Sequence, residues 1–269
     1  KTENYELLAQ GEYNINYAFT HSVTGKKLLL RVNCGSQMHL EHQIEYEAHA
    51  LRLMEGSGRT PKVLYVDGSK KILEHGVLVM EYLPGHAMDY HTELMLAAPC
   101  LADIHSVPIP ESEEILIHPQ NPLKAILEEC EEMFKVYLES PLGDGEKKTY
   151  IRELLDLGWK REAEIQLESG YQCCINTELN STNFLINGEG KSNYLIDWEK
   201  PLFGNPAQDL GHFLAPTTTF WKTDVILTSE EIEKFIDAYI KAVGNRFKTD
   251  MIREHTHAFI PITCLRGIT

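Results

Sequence analysis

Apolar and polar positions alternate through residues 12–20 (EYNINYAFT), a turn follows at Thr24-Gly25-Lys26, and 27–33 (KLLLRVN) carries an apolar run. Period-two patterning interrupted by a glycine-bearing turn predicts a β-hairpin. Over 39–55 the spacing lengthens. Leu40, Ile44, Ala48, Leu51 and Met54 share one helical face, and Gly56, Gly58 and Pro61 end it. Two further apolar runs, 62–66 (KVLYV) and 76–82 (GVLVMEY), read as strands, the second closed by Pro84-Gly85. Beyond Gly85 the pattern turns helical. Residues 94–105 carry an apolar stripe with an expected bend at Pro99, and Pro108 and Pro110 stop it. Longer amphipathic helices are predicted over 121–137 and 146–168, and further helices over 206–214, 229–243 and 248–264. Ser229 is the expected N-cap of the 229–243 helix, with Glu230 and Glu231 in its first turn. Short apolar runs at 171–175 and 193–197 flank a polar loop. The pattern predicts an α+β chain with a small β-rich N-lobe (1–84) and a larger helical C-lobe (85–269), with ligands expected in the cleft between them.

Composition narrows the classes. Of 269 residues, 43% are hydrophobic and 24% charged, an ordinary globular balance. No run approaches the roughly 18 apolar residues of a membrane-spanning helix, so no membrane partner is expected. The opening KTENYELLAQ has neither the basic nor the apolar section of a secretory signal. A first residue other than Met is expected from trimming or processing. Six cysteines without a CxxC pair predict reduced, mostly buried thiols and a cytoplasmic location. Forty acidic against 25 basic residues give a formal charge of −15. That sum opposes a phosphate backbone and argues against nucleic acid as a partner. It suits a cationic small molecule, although acidity serving solubility explains the same number. His39, His42 and His49 complete no zinc spacing and read as solvated helix residues.

The chemistry concentrates in 171–199 (YQCCINTELNSTNFLINGEGKSNYLIDWE). Glu178, Asn183 five residues later and Asp197 fourteen beyond that are spaced as a phosphoryl-transfer site requires. A carboxylate and an amide can supply hard oxygen ligands to Mg²⁺, and a further carboxylate can orient the attacking hydroxyl. Asn183 precedes FLI and Asp197 follows YLI, so both are expected at strand ends where a hairpin aims them at one point. Taken singly, Asn183 or Asp197 reads as a turn or cap residue; the joint spacing is what argues otherwise.

This segment resembles the aminoglycoside/choline phosphotransferase family, whose signature is H-G-D-x-x-x-x-N followed by I-D-W/F-[DE]. QIEYEAHALRLM, VLVMEYLPG, LADIHSVP and FGNPAQDLGHFL resemble further family segments in the family's order. The resemblance implies a bilobal protein-kinase-like fold and transfer of a phosphoryl group from ATP, or GTP, to a hydroxyl of a small molecule such as an aminoglycoside, a choline-like amine or a sugar. By position it implies Glu178 as general base, Asn183 and Asp197 as Mg²⁺ ligands, and Arg31 as a phosphate contact paired with Glu47. It implies residues 11–17 (GEYNINY) as a loop over the phosphates, backbone groups of Glu81 and Leu83 against the adenine edge, and Asp209 as a brace beneath the catalytic loop. Arg31 reads equally as a surface strand residue. The chain departs from the signature at Asn176 for His, Thr177 for Gly and Glu178 for Asp, and the 11–17 loop holds a single glycine. Glu178 is therefore either a working base or a remnant. The alternative to a kinase is a catalytically weak or inactive nucleotide- or metabolite-binding protein of the same fold. No D-F-G…A-P-E segment surrounds Asp197, which argues against a protein kinase.

Overall fold

A computed structural model describes residues 3–165, 167 and 170–269. The N-terminal part is a five-stranded antiparallel sheet in the order β1-β2-β3-β5-β4. Its strands are β1 (Tyr5–Gln10), β2 (Asn14–Thr20), β3 (Lys27–Asn33), β4 (Val63–Asp67) and β5 (Gly76–Glu81). Strand β1 was not expected. It is an edge strand exposed along its whole length, so no face is selected and no alternation marks it. Only residues 11–13 form a loop between β1 and β2, because Gly11 N–H closes onto Asn14 O at 2.9 Å. The expected 11–17 phosphate loop is thus a tight turn followed by strand. In register, Arg31 lies opposite Asn16 on β2 and Leu78 on β5.

Helix α1 (Gln43–Met54) packs on this sheet and begins four residues later than the periodicity suggested. The preceding segment turns through His39 at φ +56° and cannot continue as helix. Strand β6 (His86–Ala87) then leads into α2 (Tyr90–His105), which runs through Pro99 and is capped by Asp89. The hairpin of α3 (Pro122–Glu139) and α4 (Gly145–Glu164) follows. Residues 166 and 168 of the helix predicted over 146–168 lie outside the described residues. A two-stranded sheet pairs β7 (Cys173–Ile175) with β10 (Leu202–Gly204), and a three-stranded sheet orders β6-β8-β9, with β8 at Phe184–Ile186 and β9 at Tyr194–Leu195. The chain closes with α5 (Pro206–Leu214), α6 (Pro216–Lys222), α7 (Ser229–Val243) and α8 (Ile252–Ile268). Thr228, not Ser229, caps α7: Thr228 accepts from Glu231 N–H, and the Glu231 carboxylate accepts from Thr228 N–H. Only Thr228 has a glutamate three residues on, which is what a capping box requires.

One hydrophobic cluster runs from Ile44 and Leu51 of α1 and Leu78 of β5, through Leu101 of α2, to Trp198, Phe213 and Tyr239. A second joins α3, α4 and α8 through Leu127, Phe134, Leu155 and Phe259. Gly211 lets α5 lie against α8, since a Cβ there would stand 2.3 Å from the Phe259 side chain and 3.1 Å from its backbone. All six cysteines are free thiols, and Cys34 is exposed. Among the described residues no helix is long and apolar enough to cross a membrane.

Candidate active site

Strand β7 delivers the chain into a sharp turn at Asn176-Thr177-Glu178. Asp209, in the first turn of α5, accepts Asn176 N–H at 2.8 Å and Thr177 N–H at 2.7 Å on its two carboxylate oxygens. Its Oδ2 also lies 3.1 Å from His105 Nε2, and His105 Nδ1 lies 2.9 Å from the Tyr239 hydroxyl. His105, Asp209 and Tyr239 are fully buried, and this mutual hydrogen bonding is what makes their burial tolerable. Thr177 sits at φ +68°, which explains the glycine of the signature it resembles. A threonine there is strained; its hydroxyl donates to Lys200 O at 2.6 Å and offsets part of that strain. Asn176, in place of the signature's histidine, uses both ends of its carboxamide: Oδ1 accepts Glu178 N–H at 3.1 Å, and Nδ2 donates to Asp197 O at 2.8 Å. One buried side chain thereby ties the Glu178 turn to the Asp197 turn.

Asn183 ends a short 3₁₀ turn before β8. Its Nδ2 donates to Glu178 O at 2.9 Å, and its backbone carbonyl accepts Ile196 N–H at 2.8 Å. Its side-chain oxygen takes no hydrogen bond from the described residues and is free for a ligand. Asp197, two residues past β9, is held at φ +64° with Oδ1 3.2 Å from Arg31 Nη2. Arg31 is only 6% exposed, so the surface-strand reading does not hold. It also donates to Asn16 Oδ1 at 3.0 Å and to Glu47, a buried residue whose Oε2 has no partner.

Arg31, Glu47, Leu83 and Asp197 line one cavity of about 230 Å³ beneath the five-stranded sheet. Glu81 does not line it: its N–H donates to Lys62 O at 3.0 Å, and its carboxylate accepts Lys62 N–H at 3.2 Å. The Arg31 guanidinium contacts two acids, Glu47 and Asp197, and feels the charge of a third, Glu199. Burial pushes Glu47 up to about 7, with Asp197 and Glu199 adding to the effect against Arg31. Burial likewise pushes Glu199 up to about 7, with Asp197 adding and Arg31 opposing. Carboxylates in excess of local cations make this end of the cavity suited to a positive ion. Among the described residues no group of three or more His, Cys, Asp or Glu could hold a metal by itself. Asn183 and Asp197 are instead two hard oxygen donors, which fits Mg²⁺ completed by phosphate and water rather than a caged structural metal.

Contacts distant in sequence seat the sheet on this loop. Asn14 donates to the Glu199 carboxylate, Gln43 to Glu199 O at 2.6 Å, and the Tyr46 hydroxyl to Pro201 O at 2.6 Å. Glu178 lines not the first cavity but a second, of about 280 Å³, bounded also by Gln37, Asn180, His212, Trp221 and Arg266. Its Oε1 accepts no hydrogen bond, and the Lys200 ammonium stands 3.6 Å away. A third cavity of about 130 Å³ shares His212, Thr263 and Arg266 with the second and adds Lys200 and Glu129. Burial, with Arg266 adding to it, pushes His212 down to about 4, so this imidazole is neutral at neutral pH. Nothing in the local sequence singled out Lys200, His212 or Arg266, which come from three separate segments.

A family model described as the phosphotransferase enzyme family matches residues 4–254. The chain belongs to this family. As a phosphotransferase it shares its fold with solved kinases and antibiotic phosphotransferases. An ethanolamine kinase from Plasmodium vivax is 17% identical with a TM-score of 0.64, over 99% of this chain and 74% of that one. A choline kinase from Cryptosporidium parvum Iowa II is 14% identical with a TM-score of 0.68, over 99% and 81%. A spectinomycin phosphotransferase, solved with ADP and its antibiotic, is 14% identical with a TM-score of 0.61, over 100% and 94%. At these identities the likeness carries the protein-kinase-like α+β fold alone. No curated protein matches the phosphotransferase.

Proposed function

We propose that this phosphotransferase moves the γ-phosphoryl group of ATP to a hydroxyl of a small molecule. The observation that carries the reading is the convergence of Arg31, Glu47 and Asp197 on one cavity, tied through Asn176 and Asn183 to the turn that presents Glu178 to another. The nucleotide belongs to the first cavity, with Leu83 against the base and Arg31 opposing phosphate charge while Glu47 holds it in place. We assign residues 1–84 to a nucleotide-binding lobe and 85–269 to the catalytic and acceptor-binding lobe. Asn183 and Asp197 would hold Mg²⁺, which when bound supplies neutralisation of the phosphate oxygens. Glu178 accepts or orients the proton of the acceptor hydroxyl from the second cavity, and Asp209 fixes the backbone beneath it. Most of the rate gain in such a site is positioning and electrostatics. ADP in a similarly folded phosphotransferase supports the nucleotide assignment.

The test is thermal unfolding with and without Mg²⁺-ATP and Mg²⁺-GTP, on wild type and Asp197→Ala. Nucleotide at about 100 times its Kd stabilises by roughly 2.7 kcal/mol. A shift in the wild type that Asp197→Ala loses is the expected result. A wild type that neither nucleotide stabilises would overturn the reading.

A further inference from the structure

Lys200, Arg266 and His212 converge beside Glu178, and none of them is needed on the nucleotide side. The Lys200 side chain is 18% exposed and makes no hydrogen bond within the described residues; its nearest acid is Glu178 Oε1 at 3.6 Å. An ammonium has three donors, and none of these is taken up by a hydrogen bond among the described residues, so all three are available to a ligand. Arg266 uses Nε and Nη2 on Glu129, at 3.0 and 3.1 Å, which leaves Nη1 outside that pair. Opposed acid is scarce: besides Glu178, the lining of these two adjoining cavities includes one carboxylate, Glu129, and Arg266 already occupies it. A cavity that receives an amine needs carboxylates in excess of local cations. Here Lys200 and Arg266 match Glu178 and Glu129 one for one and His212 is neutral, so no carboxylate is left over for an amine, whatever the −15 charge of the whole chain suggests.

We propose that the acceptor is a compact hydroxylated oxyanion, a hydroxycarboxylate or a hydroxyl-bearing phosphate, whose anionic group is taken by Lys200 and the free edge of Arg266 while its hydroxyl lies at Glu178. The proposal rests on the phosphotransfer reading of that glutamate. Because Lys200 stands 3.6 Å from the base, the hydroxyl and the anionic group are separated by only a few bonds. In the step itself the hydroxyl oxygen bonds to the γ-phosphorus, and the bond from that phosphorus to the β,γ-bridging oxygen breaks. ADP leaves with the electron pair, and the hydroxyl proton passes to Glu178. An oxyanion would also draw Lys200 away from Glu178, which leaves Oε1 open to receive that proton.

Four probes of similar size separate the cases in full-length protein with Mg²⁺-ATP: glycerate, glycerol 3-phosphate, glycerol and ethanolamine. Binding is read by calorimetry and transfer by phosphorus NMR. One of the two anions should exceed glycerol and ethanolamine at least tenfold in kcat/KM, and which anion does so identifies carboxylate or phosphate as the source. Lys200→Met should raise KM for that anion about tenfold, as loss of one charge-assisted hydrogen bond implies. The same variant should change KM for glycerol little and leave stabilisation by Mg²⁺-ATP intact. Preference for ethanolamine overturns the proposal. So does an anion preference that survives Lys200→Met, or failure of both anions to bind at millimolar concentration while Mg²⁺-ATP still stabilises the chain. Absence of that stabilisation overturns the phosphotransfer reading itself, and the nucleotide arm reads it separately.

Discussion

Glu178 carries one methylene more than the aspartate of the signature it resembles, and the turn beneath it has no slack. Asp209 holds the backbone N–H groups of Asn176 and Thr177, and Asn176 holds that of Glu178. The extra reach of on the order of 1 Å is therefore taken up by the side chain, which points into the second cavity beside Lys200. If Glu178 serves as base, Glu178→Ala lowers kcat by about 10²–10⁴-fold, the usual contribution of a general base. Glu178→Asp should retain measurable turnover, and neither change should lower the unfolding temperature, because Glu178 Oε1 is buried without a hydrogen bond. Steady-state ADP release checks both. No turnover in the wild type or in either variant would favour the rival reading, a kinase-fold binding protein.

Among the elements, α5 links stability to the site. It presents Asp209 to the Asn176–Glu178 turn and lies against α8 at Gly211. Gly211→Ala places a methyl into Phe259, and overpacking of this kind costs typically 1–3 kcal/mol. Since Asp209 is two residues away on the same short helix, activity should fall together with stability. Thr228→Ala supplies the contrast. It removes the capping box of α7, far along the chain from the turn, and should lower stability by about 1 kcal/mol with kcat unchanged. Chemical denaturation and turnover measured on both variants test the coupling; an undiminished kcat in Gly211→Ala would show that α5 does not transmit the displacement.

The molecule as a whole titrates in two opposed senses. His212 is pushed down to about 4 from an ordinary value of 6.5. Between those values the unfolded chain binds a proton that the folded chain refuses, so this contribution is complete above 6.5 and is lost as pH falls. Its size is on the order of 3 kcal/mol across the window, from about 1.4 kcal/mol per pKa unit. Glu47 and Glu199, raised to about 7, act the other way: their contribution is present below the ordinary 4.5 and is lost as pH rises through 7. A bulk stability curve therefore mixes both senses, and the informative quantity is a difference. His212→Gln, measured by urea unfolding from pH 6.5 downward, should lose less stability than the wild type. Equal slopes would mean that His212 takes up its proton in the folded state.

Periodicity and spacing in this chain determined what depends on neighbours in sequence. The β2–β3 hairpin, α1, the long helices and the E-x-x-x-x-N…D order are legible because strand and helix repeats, turn glycines and motif distances are local properties. Strand β1 escaped because an edge strand exposed on every residue leaves no pattern. Thr228 rather than Ser229 caps α7 because the glutamate three residues on, not the side chain alone, decides the cap. Tertiary structure decided the rest. Arg31 became a buried hub only when α1 brought Glu47, and the Asp197 turn its carboxylate, to its two ends. Asn14 meets Glu199 across 185 residues. His212 of α5 and Arg266 of α8 share the Glu178 cavity because α5 and α8 pack against each other at Gly211. Net charge is a sum over the chain, whereas recognition depends on which few charges face one cavity, and only packing assigns those.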